Sequence, residues 1–255
     1  MGGQGRGQPN STFDGLNGGG HAATGDTASG MLQNSSKGSP PQTRRSAMAT
    51  ETFDRRSHWE SAYASRDEVE LSWFQETPEP SLRLIAESGV CPDDPLVDVG
   101  GGASRLVDAL LDRGFGRVAV LDIAASALAA ARARLGIRAD SVAWIAADVT
   151  DWQPPHPFRL WHDRAVFHFL TDPADQRRYA AAAARGVVSG GHLVMGIFAP
   201  DGPERCSGLP VRRHDLHSLS AVFEPAFTIE HAERVTHVTP AGREQRFGFA
   251  RFRRT

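Results

Sequence analysis

Leu96-Val97-Asp98-Val99-Gly100-Gly101-Gly102-Ala103-Ser104 carries an apolar strand into a carboxylate and then into a backbone stripped of side chains. Glycines at such a turn let the main chain approach a ligand closely. The run that follows, Arg105 to Arg113, places Leu106, Val107, Leu110 and Leu111 at helical spacing and so presents N-terminal amides to the same point. A second acid, Asp122, ends the next apolar run, Val118-Ala119-Val120-Leu121. In a strand-turn-helix nucleotide site that position grips a ribose diol. A third, Asp148, lies just past Val142-Ala143-Trp144-Ile145. Any one of these acids could be a helix N-cap. Acids at three successive strand ends describe an open α/β sheet whose ligand sits at the carboxyl edge.

Gly100-x-Gly102 alone does not choose among nucleotide cofactors, but Asp98 does. A carboxylate beside the turn repels a pyrophosphate passing over it, and Arg105 stands where a dinucleotide fingerprint needs a third glycine. A cationic nucleotide without phosphates suits the site better. Asp98-x-Gly100-x-Gly102-x-Ser104 resembles the first motif of class I S-adenosylmethionine methyltransferases, with Ser104 where the usual form has a third glycine. The resemblance implies S-adenosyl-L-methionine as cofactor. Asp98 and Gly100, Gly101 and Gly102 would hold its methionine end, Asp122 with Ile123 its ribose, and Asp148 with Val149 its adenine. It also implies the fold, a doubly wound, Rossmann-like, seven-stranded sheet ending in an antiparallel hairpin. Two alternating segments, about 227–238 and 244–253 around Pro240-Ala241-Gly242, fit that hairpin, and the likeness covers Asp54 to Arg253.

Between these landmarks the chain alternates as a wound sheet should. Helices are predicted over about 54–64, 81–88, 124–135, 173–187 and 215–223, and strands over 158–162 and 192–198, while no regular element fits 199–210. Met1 to about Ala47 is rich in Gly, Ser, Asn, Gln and Thr, and reads as a disordered tail that cannot bury enough surface to offset its ordering entropy. Met48 opens the folded-looking part, so a start at Met48 or a plain tail is favoured over a targeting leader, for which no amphipathic basic helix is visible. The catalytic domain is expected over 48–255, with a helical lid region at 48–90 and the core sheet at 91–255.

The 255 residues carry 28 basic against 30 acidic side chains, which gives no electrostatic reason to expect nucleic acid or an anionic membrane as partner. Two cysteines, Cys91 and Cys206, are too few for a disulfide framework and lack metal-ligand spacing, so no metal and a reducing, cytoplasmic setting are expected.

For the acceptor, Trp161-His162-Asp163-Arg164-Ala165-Val166-Phe167-His168 lacks an Asn/Asp-Pro-Pro-aromatic signature, which disfavours DNA bases and glutamine amides. Asp163-Arg164 followed by Asp175 and Tyr179 resembles the matching segment of thiopurine and related thiol methyltransferases, with Ala165 where those have glycine. Asp163 and His168 are the candidate bases, and Asp163 also a cofactor contact. Arg164, His168 and Cys206 are candidate substrate contacts, Trp73 and Phe74 pocket contacts from the lid, Trp73 touching the cofactor too. Trp59 and Tyr63, one helical turn apart, suit simple burial. The alternatives are a paired Arg164, a packed His168 and an inert Cys206 thiol. The expected activity is methyl transfer to a small-molecule thiol, oxygen or nitrogen nucleophile. A protein-lysine methyltransferase, a nicotinamide-dependent oxidoreductase and a non-catalytic cofactor-binding protein remain open, as does the oligomeric state.

Overall fold

A computed structural model describes residues 53–65 and 68–255. The expected tail at 1–47 lies outside them. The elements are α1 (Arg55–Ala64), α2 (Glu79–Glu87), β1 (Leu96–Val99), α3 (Leu106–Asp112), β2 (Val118–Asp122), α4 (Ala125–Leu135), β3 (Val142–Ala146), β4 (Phe158–Arg164), α5 (Pro173–Gly186), β5 (Val187–Phe198), β6 (Arg205–Cys206), β7 (Leu209–Pro210), α6 (Leu216–Phe223), β8 (Phe227–Val238) and β9 (Glu244–Arg254). Seven strands form one sheet in the order β3-β2-β1-β4-β5-β9-β8. The first five are parallel, and β9 runs antiparallel between β5 and β8.

This is the expected class I methyltransferase architecture. Its central strands are buried on both faces, which is why β1 and β2 read as unbroken apolar runs apart from their acids. Alternation then sorts side chains between two layers. Val97, Val99, Ala119, Leu121, Trp161 and Leu193 pack towards Tyr179, Leu219 and Phe223 of α5 and α6. Leu96, Val118, Val120, Leu160 and Val194 pack towards Leu82, Leu106, Leu110 and Leu128 of α2, α3 and α4.

Helix starts follow side-chain chemistry where the sequence offers a cap. Asp54 accepts from the Ser57 amide, Asp172 from Ala174 ahead of Pro173, and Asp215 from Ser218. Ala124 cannot cap α4, and Glu60 does so from α1, accepting from the amides of Ala125 (2.7 Å) and Ser126 (3.2 Å).

Three expectations are corrected. β4 continues through Asp163 and Arg164, which were expected in the loop beyond it. β5 begins at Val187, so α5 stops at Gly186 and the Ser189-Gly190-Gly191 segment lies within the strand, beside a register shift in its pairing with β4. The 199–210 loop carries a two-residue ladder, β6 with β7, turned by Ser207 and Gly208, both at positive φ.

Candidate active site

A cleft of about 750 Å³, open mouth included, lies at the carboxyl ends of β1, β2, β3 and β4. Its β2–β3 side holds Asp122, Ile123, Asp148 and Val149, and Gly100 ends its β1 side.

Asp122 is buried, with Oδ1 accepting from the Ala124 amide (2.9 Å) and Oδ2 from Gly102 (3.1 Å). A Cβ on Gly102 would sit 2.5 Å from Oδ2, so glycine is what allows the turn to close on the carboxylate. Each oxygen keeps a second lone pair for a ligand. Burial pushes the Asp122 carboxyl up to about 7 against these amide bonds. Asp148 is less buried. Its Oδ1 accepts from the amide and hydroxyl of Thr150 (2.8 and 2.7 Å) and its Oδ2 faces Arg55 (3.4 Å), which also pairs with Asp175.

Asp98 does not line the cleft. It lies under the turn, where a Cβ on Gly101 would come within 2.4 Å of its Oδ2. Oδ1 meets His162 Nδ1 at 2.7 Å, and His162 Nε2 meets Ser81 Oγ at 2.8 Å. Oδ2 is buried without a partner. A buried carboxylate oxygen with spare capacity fits a cationic amino group, and the two ribose-ready lone pairs of Asp122 fit a diol. The donor set therefore suits a nucleoside carrying a cationic amino acid. Gly101 and Gly102 serve the site by letting Asp98 and Asp122 lie against the turn.

At the tip of β4, Arg164 lines the cleft and Asp163 does not. Asp163 is fully buried in the α5 layer, accepting from the Tyr179 hydroxyl (2.6 Å) and from the amides of Val166 (2.9 Å) and Phe167 (3.2 Å). Burial raises its carboxyl to about 6. Those bonds wrap the chain around it and hold Ala165 at φ 71°, a left-handed conformation that glycine adopts freely. His168 is also fully buried and away from the cleft, its ring centroid 4.5 Å from those of Phe169 and Phe198. Burial pushes it down to about 3, so it is neutral. Neither expected base reaches the cleft.

The lid side also differs from expectation. Trp73 and Cys206 line the cleft, but Phe74 does not. Instead α1 contributes Arg55, Trp59 and Tyr63, three residues at steps of four on one helical face. Trp59 meets Phe169 at 4.9 Å and Trp73 at 5.9 Å between ring centroids, and Tyr63 meets Trp73 at 6.0 Å. Burial and the nearby Asp122 and Asp98 hold the Tyr63 hydroxyl well above its ordinary range. The signal was present as the Arg55-Trp59-Tyr63 stripe, whose one charged member marks a face turned to a ligand cavity.

Among the described residues no cluster of three or more His, Cys, Asp or Glu side chains could hold a metal, and no helix is long and apolar enough to cross a membrane.

A family model described as a methyltransferase domain matches residues 96–191. The chain is 29% identical over 172 residues to trans-aconitate 2-methyltransferase of Rhizobium leguminosarum bv. trifolii (strain WSM2304), an alignment covering 62% of this chain and 66% of that enzyme, just under two thirds of its length. Its fold is similar to that of Burkholderia thailandensis 1,6-didemethyltoxoflavin-N1-methyltransferase, solved with 1,6-didemethyltoxoflavin and S-adenosylhomocysteine (TM-score 0.62, 22% identity, 78% of this chain and 87% of that one). It is also similar to the N-methyltransferase NodS of Bradyrhizobium japonicum WM9 in complex with S-adenosyl-L-homocysteine (TM-score 0.59, 18% identity, 79% and 99%). The domain match spans the glycine turn and the ends of β1, β2 and β3 where the three acids lie, so this stretch of the chain is similar to methyltransferase domains, and the fold around it is that of the class I S-adenosylmethionine-dependent methyltransferases.

Proposed function

We propose that this protein transfers the methyl group of S-adenosylmethionine to a small-molecule acceptor. The observation that carries this reading is the convergence of Asp122 and Asp148 on one cleft, with the unpartnered Asp98 Oδ2 beneath its glycine turn. In this assignment Asp122 accepts from the ribose hydroxyls, Asp148 from the adenine amine, and Asp98 receives the amino group beside Gly100. Ile123 and Val149 offer apolar contact to the adenine. When bound, the cofactor supplies a methyl group on a positively charged sulfur, already electrophilic.

What remains for the chain is positioning and dryness. Trp59, Tyr63, Trp73 and Phe169 wall the cleft with aromatic surface, which excludes water and suits a cationic sulfur through ring quadrupoles. Holding donor and acceptor in line can remove roughly 7–11 kcal/mol of the barrier. We assign no base: Asp163 is committed to three donors, and His168 lies outside the cleft. A small acceptor is supported by the relative named for trans-aconitate and by the structural neighbour solved with 1,6-didemethyltoxoflavin. A cytoplasmic location is part of the same proposal, supported by the unpaired state of Cys91 and Cys206.

Thermal unfolding tests the reading. S-adenosylhomocysteine at about 100 times its dissociation constant adds roughly 2.7 kcal/mol of stability, about 5–11 °C for a domain of this size. NAD and NADP leave the midpoint unchanged. Stabilisation by a dinucleotide with none by S-adenosylhomocysteine rejects the reading.

A further inference from the structure

Arg164 stands apart from the other arginine of the cleft. Arg55, on the lid side, is paired with Asp148 and Asp175. Arg164 spends one nitrogen on the chain, Nη1 donating to the Trp73 carbonyl at 2.7 Å, and stacks over Phe247 at 5.5 Å. Its Nε and Nη2 are buried and have no partner, and no carboxylate among the described residues pairs with it. A buried guanidinium with no carboxylate in contact, reached by the charge of Asp98 only from beyond pairing distance, is unfavourable, and two unused donors in a planar fork match the two oxygens of a carboxylate.

A second, independent observation concerns protons. The titratable side chains lining the cleft are Arg55, Tyr63, Asp122, Asp148, Arg164 and Cys206, and none of the described residues that line it is a histidine or a lysine. Asp122 and Asp148 are taken by the cofactor in the assignment above. Burial raises both the Tyr63 hydroxyl and the Cys206 thiol, so neither can accept a proton near neutrality. An amine or alcohol that must lose a proton finds no acceptor there. A nucleophile that arrives already charged needs none.

We infer that the methyl acceptor is a small organic acid, docked through its carboxylate on Nε and Nη2 of Arg164 between Trp73 and Cys206, and methylated as the anion. The inference rests on the methyltransferase reading. The step balances without a base: a lone pair on one carboxylate oxygen forms the O–CH3 bond, the S–CH3 bond breaks, and its electron pair stays on sulfur. Anion and sulfonium become a neutral ester and a neutral thioether, and no proton moves. Arg164 sits at the tip of β4, two strands from β2 and its Asp122, which places it on the acceptor side of the methyl group. The cofactor's own carboxylate has the same chemistry, and the test separates the two.

The experiment uses the full chain saturated with S-adenosylhomocysteine. Benzoate, succinate and citrate are titrated against benzamide and succinamide by thermal shift, in the original protein and in Arg164→Met and Arg164→Lys. The acids raise the midpoint of the saturated protein and the amides do not, at least tenfold more acid is needed in Arg164→Met, Arg164→Lys recovers part of the response, and S-adenosylhomocysteine affinity stays within threefold. Equal response to acids and amides, or none to either, overturns the inference, and this arm needs no variant. A tenfold loss of S-adenosylhomocysteine affinity in Arg164→Met, with 5′-methylthioadenosine affinity unchanged, overturns it too, by giving Arg164 to the cofactor's carboxylate. No binding of S-adenosylhomocysteine by the original protein removes the methyltransferase reading itself, and the inference with it.

Discussion

At the tips of β2 and β3, Asp122 and Asp148 face the cleft, whereas at the tip of β4 Asp163 turns into the core and Arg164 takes the cleft position instead. All three acids look alike in sequence, each near the end of an apolar strand. What separates them is strand length. β2 stops on its acid and β3 two residues before it, which frees both side chains to meet the mouth. β4 continues one residue past Asp163, so pleat alternation sends that carboxylate to the α5 layer and the next side chain to the cleft. The acid becomes the hub of a turn, with three donors, and the site at this tip is left cationic.

The contrast has measurable consequences. The largest is expected at Asp163, where alanine strands the Tyr179 hydroxyl and the amides of Val166 and Phe167. Asp163→Ala should lose about 3 kcal/mol of stability in urea, while Asp122→Ala, which strands two amides, should lose about 1–2 kcal/mol and in addition weaken S-adenosylhomocysteine binding by about 2–3 kcal/mol, roughly 30- to 150-fold by calorimetry. The reverse pattern would erase the distinction between the two tips.

His168, beyond the same turn, sharpens it next. His168→Ala removes a ring packed between Phe169 and Phe198 and should cost about 2 kcal/mol of stability, with turnover of the folded variant changed less than twofold. A hundredfold fall in turnover at unchanged stability would restore His168 as a base.

Smaller again is a pH effect. Burial raises Asp122 from 3.8 to about 7, so the folded chain holds that proton more tightly than the unfolded one. Its contribution to stability is present at low pH and is lost as pH rises from about 4 through 7, whereas a diol needs the ionised form. S-adenosylhomocysteine affinity should therefore rise about tenfold from pH 6 to pH 8 as the unliganded protein loses stability through this group. Affinity flat across that window would mean the diol does not meet Asp122. The smallest effect belongs to Ala165, held at φ 71°. Relief of left-handed strain and the entropy of glycine nearly cancel, so Ala165→Gly should shift stability by no more than about 1 kcal/mol, in either direction.

These contrasts mark what the sequence could disclose. The parallel sheet, the closing hairpin and the acids of the β2 and β3 ends were legible because continuous apolar runs and their terminating residues are local signals. The β4 end was not, because one residue of strand length exchanges the two faces, and periodicity does not resolve it. The aromatic wall of the cleft was half legible. Trp73 was found, but Trp59 and Tyr63 were read as a packing pair and Arg55 was given no role, since a helix face turned to a cavity and one turned to a core share the same period. His162 and Ser81, which orient Asp98, gave no sequence signal, being brought together by β4 and α2 across 81 residues.

Glu60 carries a further consequence. By accepting from Ala125 and Ser126 it places a carboxylate on the helix terminus that follows Asp122. That terminus is where a strand-turn-helix site would welcome a phosphate on the ribose. Here Glu60 already occupies the amides that such a phosphate would use, and Arg56, donating to the Ile123 carbonyl at 3.0 Å, sets a cation beside it, so the terminus is closed by an internal pair of charges and a phosphate would have to displace Glu60 to reach those amides.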